Sequence, residues 1–396
     1  MANMLNQQDA YQIYNAVASQ SMGGSLVNVD SSNIVSVGET LLRTGLENTL
    51  NAISYVMSKS IFSARPYKAK LSSLERSEER FGMITRKVTY LRTEAEPSTD
   101  YNTQISGHTT QLADGQSIDH YKINAPKAIQ TNFPGAQLYQ VHITRFRDQL
   151  RVALTNIDEF ARFWEACMVE FYNSIEDIKE ARSRVTLVNY IAGKISMANN
   201  VVNLTTAFNA KYSTEYTRTQ LLSTYLPDFM KFVAAKIKMD SEAMTDRSSM
   251  YHANLSGYAD IIRHTPKERQ KMIMYNPIFI EAESQVYSSL FNPSYLEIGE
   301  FEGVNFWQSK SNPTAIDYTP NILDVATGES KTANAAVKND YVLGMLFDEE
   351  SLGVMNKFDY ASTTPFNSAG GYYNLYVHGM HKSYNDYTEN AIVYTV

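Results

Sequence analysis

The stretch TNIDEFARFWEACMVEFYNSIEDIKEARSRVTLVNYIAGKISM, residues 155–197, carries the longest unbroken helical signal in the sequence. Apolar residues recur there at three- and four-residue steps: Ile157, Phe160, Trp164, Cys167, Phe171, Ile175, Ile178, Ala181, Val185, Val188, Ala192 and Ile195. That spacing turns one stripe toward a core and leaves Glu165, Glu176, Lys179, Glu180 and Arg184 largely on the other side. Asn156, with Glu159 three residues later, forms a capping-box pattern at the start. Asn173-Ser174 interrupts the run, and Ser174 with Asp177 reads as a second cap. The sequence therefore predicts two consecutive helices, 157–172 and 175–197, with no Pro inside either.

The 396 residues exceed what a single hydrophobic core usually serves, which predicts two lobes. A hydrophobic content of 43% with 19% charged residues belongs to a folded globular protein and excludes a disordered one. The 27 Tyr outnumber the 17 Phe, and Tyr joins apolar area to a polar tip that suits both strands and interfaces. A formal net charge of −7 lacks the Lys/Arg excess with which proteins clasp DNA or RNA. The lone cysteine, Cys167, excludes an internal disulfide and a multi-cysteine zinc site, and on an apolar helix face it reads as a buried small hydrophobe. Residues 1–9 have neither a basic nor an apolar segment of signal-peptide type, and no apolar run approaches the ~20 residues that span a bilayer. Folding in a cytoplasm is the expectation.

Residues 9–20 are polar and helix-capable, residues 21–25 form a break, and Leu41, Leu42, Leu46, Leu50, Ile53 and Met57 continue a helical pattern that ends before Pro66. This lightly apolar lead has little core of its own and reads as an arm that packs on something else. Over residues 63–136, Met83–Arg92 alternates like a strand, and a polar run follows from Thr93 to Asp119. Two strand-like pieces joined through turn residues make a long hairpin or extended loop that is either disordered or ordered by a partner. Gln137–Arg147 alternates with period two as a half-buried strand. Beyond the helix pair, Val201–Phe208 reads as strand or turn, Leu221–Met239 as a helix with Pro227 near its start, and Ser249–Gly257 as a loop. Lys271–Tyr275 is a predicted strand and Phe279–Phe291 a predicted helix. Gly299–Gln308, Tyr341–Phe347, Tyr372–His378 and Ala391–Val396 are further predicted strands. This mixed order, without a βαβ repeat, is α+β.

No dinucleotide fingerprint, phosphate-cradling loop, nucleophile elbow or H-E-x-x-H motif is present. His378 and His381 are the nearest approach to a ligand pair, yet residues three apart on a strand point to opposite faces. The carboxylate pairs Glu281/Glu283, Glu297/Glu300 and Glu349/Glu350 fall in polar turns or on helix surfaces and read as solvated. No catalytic, cofactor-binding or metal-ligating residue is expected.

The order of arm, polar hairpin, strand, long helix, mixed lobe and returning strands resembles the major capsid protein of tailed phages, the Hong Kong 97 capsid fold. Ser383–Tyr394 looks like the closing segment of capsid proteins of small short-tailed podophages. His264-Thr265-Pro266 before an apolar strand, followed by residues 282–293, is similar to their mid-chain pattern. The helix pair at 157–197 is similar to the family's short helix leading into its spine helix. The resemblance implies an N-terminal arm over residues 1–62 and an extended loop over 63–136. It implies a peripheral domain with the spine helix over 137–199 and 355–385, and an axial domain over 200–354 and 386–396. It further implies self-assembly into pentamers and hexamers of an icosahedral head, with portal and scaffolding or head-decoration proteins as partners. The shell would enclose double-stranded DNA without sequence-specific binding and without a membrane, in a virion assembled in a bacterial cytoplasm. No stretch matches the Lys–Asn cross-link of some relatives. An encapsulin-like compartment on the same fold, and an α+β enzyme or glycan-binding module with a Tyr-rich groove, are the competing readings.

Overall fold

A computed structural model describes residues 7–22, 29–30, 33–44, 67–76, 84–91, 127–146, 157–256, 261–285 and 300–396, with isolated positions between them. In chain order the helices are α1 (Gln7–Ser21), α2 (Ile34–Thr44), α3 (Ile157–Ser196), α4 (Leu204–Tyr212), the single turn α5 (Arg218–Leu221), α6 (Leu226–Thr245) and α7 (Asn276–Gln285). The strands are β1 (Ile84–Tyr90), β2 (Ala128–Pro134), β3 (Ala136–Phe146), β4 (Val201–Asn203), β5 (Gln270–Tyr275), β6 (Glu300–Val304) and β7 (Ile316–Tyr318). They continue with β8 (Asn321–Leu323), β9 (Ser330–Thr332), β10 (Val337–Asn339), β11 (Val342–Asp348), β12 (Leu352–Thr363), β13 (Tyr372–Asn385) and β14 (Ala391–Thr395). The chain divides into two compact units, residues 1–81, 135–188 and 352–385, and residues 82–134, 189–351 and 386–396.

In the first unit β12, β13 and β3 form an antiparallel sheet with β13 in the middle. Its inner face carries Ile143, Tyr373, Leu375 and Val377, which join Tyr14 and Val17 of α1 and Phe160 and Trp164 of α3 in one apolar cluster. The Tyr14 and Phe160 rings meet edge to face at 4.9 Å. The second unit is built on a five-stranded sheet of order β4-β14-β11-β5-β6. Every residue of β11 is buried, as expected of a central strand covered on both faces. On one face α6 lays Phe229, Met230, Val233 and Ile237 against Met272, Met274, Leu346 and Ile392. Pro227 sits in the first turn of α6, where its missing N–H costs no helical bond.

Several predicted elements shift. Instead of two helices, residues 157–196 form one continuous helix through Asn173-Ser174. Asn173 does not divert its own backbone, because its Oδ1 accepts from Tyr67 N at 3.0 Å. The predicted cap at Asn156 lies outside the described residues. Val201–Phe208 is strand only to Asn203, whose side chain then accepts from Thr206 N and starts α4. The predicted helix from Leu221 begins instead at Leu226, after the turn α5 with its Thr217/Gln220 capping box. The strand predicted to end at His378 runs on to Asn385. Gly379 does not stop it; the Tyr139 ring lies across that glycine, so close that a Cβ would sit 2.4 Å from Cζ. The polar run 93–114 and residues 286–299, with the second half of the helix predicted at 279–291, lie outside the described residues.

Candidate assembly elements

In the first unit, one face of α3 holds an extended segment by its backbone. Asn173, Glu176 and Glu180 share that face, at spacings of three and four residues. They accept in turn from Tyr67 N at 3.0 Å, Ala69 N at 2.9 Å and Lys70 N at 3.3 Å. Tyr67 Oη donates to the same Glu180 oxygen, and this bond with burial raises the phenol to about 12. Lys179 and Arg184 brace the two carboxylates at 2.8 and 2.7 Å. The polar stripe of the helix thus stands in for a neighbouring strand, satisfying N–H groups that an extended chain would otherwise leave open. The segment ends in a bridge from Glu75 to Val354 and a bond from Arg76 N to Val354 O of 3.0 Å.

In the second unit, residues 386–390 form a buried polar knot. Asp386, Glu389 and Asn390 are all buried. The backbone is fixed by Asp386 N to Ser351 O (2.7 Å), Ala253 N to Tyr387 O (2.8 Å) and Asp348 N to Asn390 O (2.9 Å). Thr388 donates to Asp386 Oδ1 through its N (2.9 Å) and its hydroxyl (2.6 Å). Tyr387 stacks on Tyr190 with ring centroids 4.9 Å apart and planes 1° from parallel. Its Oη donates to Asn321 O at 2.7 Å. Gly193 of α3 leaves the space for this ring, since a Cβ there would stand 2.1 Å from Oη. The next residue, Lys194, is fully buried and donates to Asn199 Oδ1 at 2.8 Å. Burial pulls its amine down to about 7, against a smaller upward pull from Asp386.

The knot also receives the β1/β2 hairpin. Lys87 of β1 reaches Asp386 at 2.8 Å, Glu350 at 3.6 Å, and Glu389 in a shorter contact. Arg263 lies alongside, with Nη2 3.0 Å from Glu389 and 3.1 Å from Thr89 Oγ1, and Nε 3.2 Å from Thr388 O. Burial would lower the Lys87 ammonium, but the two carboxylates reverse this and hold it above its ordinary value. Burial would likewise raise Asp386, yet Lys87 and Thr388 keep it below the usual carboxylate range. For Glu389 burial prevails over Lys87 and Arg263, and its carboxyl is raised. The opposite face of β1 presents Arg86, Val88 and Tyr90 outward, and Tyr90 is 73% exposed.

The residues weighed from sequence fall elsewhere. His378 and His381 point to opposite faces of β13, His381 inward with Nε2 3.1 Å from Gln137 Oε1. Burial and Arg182 lower its imidazole to about 4. Among the described residues no group of three His, Cys, Asp or Glu is arranged to hold a metal ion. Glu349 and Glu350 are engaged by Arg269 at 2.6 and 2.7 Å, and Glu300 by Lys271 at 2.8 Å. Glu281 is exposed, while Glu297 and the side chains of Glu283 and Cys167 lie outside the described set. Lys87, Arg263 and the 386–390 knot were not singled out by sequence reasoning, although Ser383–Tyr394 was noticed as a resemblance.

The sequence model described as Phi29-like phage major capsid protein matches residues 13–395. The chain belongs to that family. A comparison with curated proteins finds no match. Among solved structures, a chain from the capsid structure of Staphylococcus phage Andhra is similar at 10% identity and a TM-score of 0.51, covering 83% of this chain and 84% of that one. A chain from the structure of head fibre and inner core protein gp22 of native bacteriophage P68 is similar at 9% identity and a TM-score of 0.51, covering 85% and 87%. Identities this low speak to the fold, which is the mixed helix-and-strand Hong Kong 97-like capsid architecture. As a member of the Phi29-like family, the chain is a phage major capsid protein.

Proposed function

We propose that copies of this chain assemble as pentamers and hexamers into an icosahedral head that encloses the double-stranded DNA of a short-tailed phage. The family match over residues 13–395 carries this reading. In it, residues 1–62 are an arm and 63–136 an extended loop, both laid on neighbouring subunits. Residues 137–199 with 355–385 form the peripheral domain, and 200–354 with 386–396 the axial domain. The exposed apolar side chains of the loop support the assignment: Val88, Tyr90, Tyr121 and Ile123 are 51–89% exposed in the single chain, an unusual concentration unless a partner covers them. A net charge of −7 suits a container that holds DNA without gripping it, and portal, scaffolding or decoration proteins complete the set of partners. The role is structural, not catalytic, and assembly takes place in the host cytoplasm.

Particle size tests the proposal. Purified protein, alone and with lysate of infected cells, is examined by sedimentation and negative-stain microscopy. Uniform shells, or rings of five and six that convert to them, are expected. A monomer or dimer in every condition, scaffold included, would overturn it.

A further inference from the structure

We propose that the buried side chain of Asn390 is a two-position relay: it turns over when His252 takes up a proton, and so decides whether Thr265 gives its hydroxyl proton to Asp348. These residues come from separate parts of the second unit and are all buried. His252 and Thr265 lie in the connection between α6 and β5, Asp348 ends β11, and Asn390 directly precedes β14. Their side chains form one chain. His252 Nε2 stands 2.7 Å from Ile261 O, and Nδ1 stands 3.0 Å from Asn390 Oδ1. Asn390 Nδ2 donates to Thr265 Oγ1 at 3.2 Å, and Thr265 Oγ1 donates to Asp348 Oδ2 at 2.8 Å.

The two ends of the chain fix where its protons lie. A carboxylate only accepts, so Thr265 gives its single hydroxyl proton to Asp348 and must be met by a donor, the amide nitrogen of Asn390. The amide oxygen is then turned to His252 Nδ1, while a backbone carbonyl faces Nε2. Two acceptors suit only the imidazolium, which carries both N–H groups. A neutral ring has one N–H. It keeps Ile261 O and leaves Nδ1 an acceptor, so the Asn390 amide must turn over to present Nδ2. Its oxygen then takes the Thr265 proton, and Asp348 Oδ2 loses that bond. One proton bound at His252 is thus felt as a hydrogen bond at Asp348.

The backbone around the relay is held in place, which confines the change to side chains. Thr265 N donates to Met244 O at 2.8 Å, and Asn390 O accepts from Asp348 N at 2.9 Å and Ser351 Oγ at 3.1 Å. Asp348 Oδ1 accepts from Glu350 N at 2.8 Å, so the relay ends in the turn whose Glu349 and Glu350 meet Arg269. The charged groups acting on His252 are Arg263, itself 3.0 Å from Glu389, and Lys194 of α3. Burial lowers the imidazole most, the bonds to Asn390 and Ile261 O raise it, and Arg263 and Lys194 lower it. The balance lies below its ordinary value, so the amide turns over in acid. None of this rests on the capsid reading.

Nuclear magnetic resonance of the full-length, unassembled subunit with isotope-labelled histidine tests the relay, the His252 signal being the one lost in His252→Gln. At neutral pH the ring is expected to be neutral with its proton on Nε2, and on acidification to become the imidazolium. Thr265→Val touches neither ring nitrogen, yet the charged state loses one more bond than the neutral state, the charge-assisted one to Asp348. His252 should then bind its proton roughly 3- to 30-fold less tightly. Thr265→Ser keeps the hydroxyl and should titrate within about 2-fold of the parent. A Val form that titrates like the parent, or a Ser form that shifts as far as the Val form, overturns the relay. So does a neutral ring protonated on Nδ1, or a ring that never titrates while the subunit is folded.

Discussion

Replacing Gly193 with Ala pits helix propensity against packing, and the geometry decides the sign. In an exposed helix interior the change would stabilise by about 1 kcal/mol, because Gly loses more backbone freedom on folding. Here the new Cβ would lie 2.1 Å from Tyr387 Oη, 2.6 Å from Cζ and 2.8 Å from Cε1. The whole edge of the ring is blocked, so turning the hydroxyl aside gives no relief. Tyr387 is buried and stacked on Tyr190, and its hydroxyl donates to Asn321 O. Moving it forfeits the stack, about 0.5–1.5 kcal/mol, and a buried hydrogen bond, about 1–3 kcal/mol. The net expectation is a loss of about 0.5–3.5 kcal/mol after the helix gain is subtracted.

Thermal unfolding of the unassembled subunit, followed by circular dichroism, reads this as a fall of roughly 3–10 °C in Tm. A double-mutant cycle makes the test sharper. With Tyr387→Ala as background the clash is gone, and Gly193→Ala should become stabilising by about 1 kcal/mol. A single variant as stable as the parent, or costs that add without coupling, would refute the close approach as the reason for this glycine.

Three other perturbations follow the same reasoning. Lys194→Met removes an amine whose folded value is about 7 against 10.5 unfolded; the parent should lose stability as pH falls from about 10.5 toward 7, while the variant lacks that slope and is more stable at pH 7 by about 1–3 kcal/mol in urea melts. Asn199 Oδ1 keeps Asn200 as a donor in the variant, so a Met form that is less stable at pH 7 would sink the idea. His381, held at about 4 against 6.5 unfolded, should make the first unit lose stability as pH falls from 6.5 to about 4, and His381→Gln should flatten that dependence; equal slopes in the two proteins would contradict it. Glu180→Ala deletes the acceptor of Tyr67, Lys70 and Arg184, and trypsin should then cut at Lys68 and Lys70 several times faster, with melting of the second unit unchanged.

What could be read in the chain beforehand follows the range of the interactions. The apolar period of residues 157–196 and the alternation of β1 and β3 are local, and they place those elements within a few residues, whereas the reading of β13 stops at His378, seven residues short. Opposed histidines at 378 and 381 follow from strand geometry alone. The break at Asn173-Ser174 fails because the partner of Asn173 is the backbone of Tyr67, far away in sequence, and no local rule reveals that the amide is already engaged. The period places Glu176 and Glu180 on the polar side of the helix but does not reveal what they bind, since a carboxylate on a polar stripe looks alike whether water or a strand of backbone covers it.

The contacts of Lys87 with Asp386 and Glu389 are the extreme case, with ends separated by 299 and 302 residues. A faint signal was present. Asp386-Tyr387-Thr388-Glu389-Asn390 places two acids and an Asx-type turn directly before Ala391–Thr395, a strand buried throughout. Charge leading into such a strand must either lie at the surface or be neutralised by cations from elsewhere. Both cations, Lys87 and Arg263, could be named only once the fold had brought them there. This asymmetry has a physical origin. Apolar burial is non-directional and leaves its period in the sequence, whereas a buried ion pair is directional and leaves only two residues that look ordinary apart.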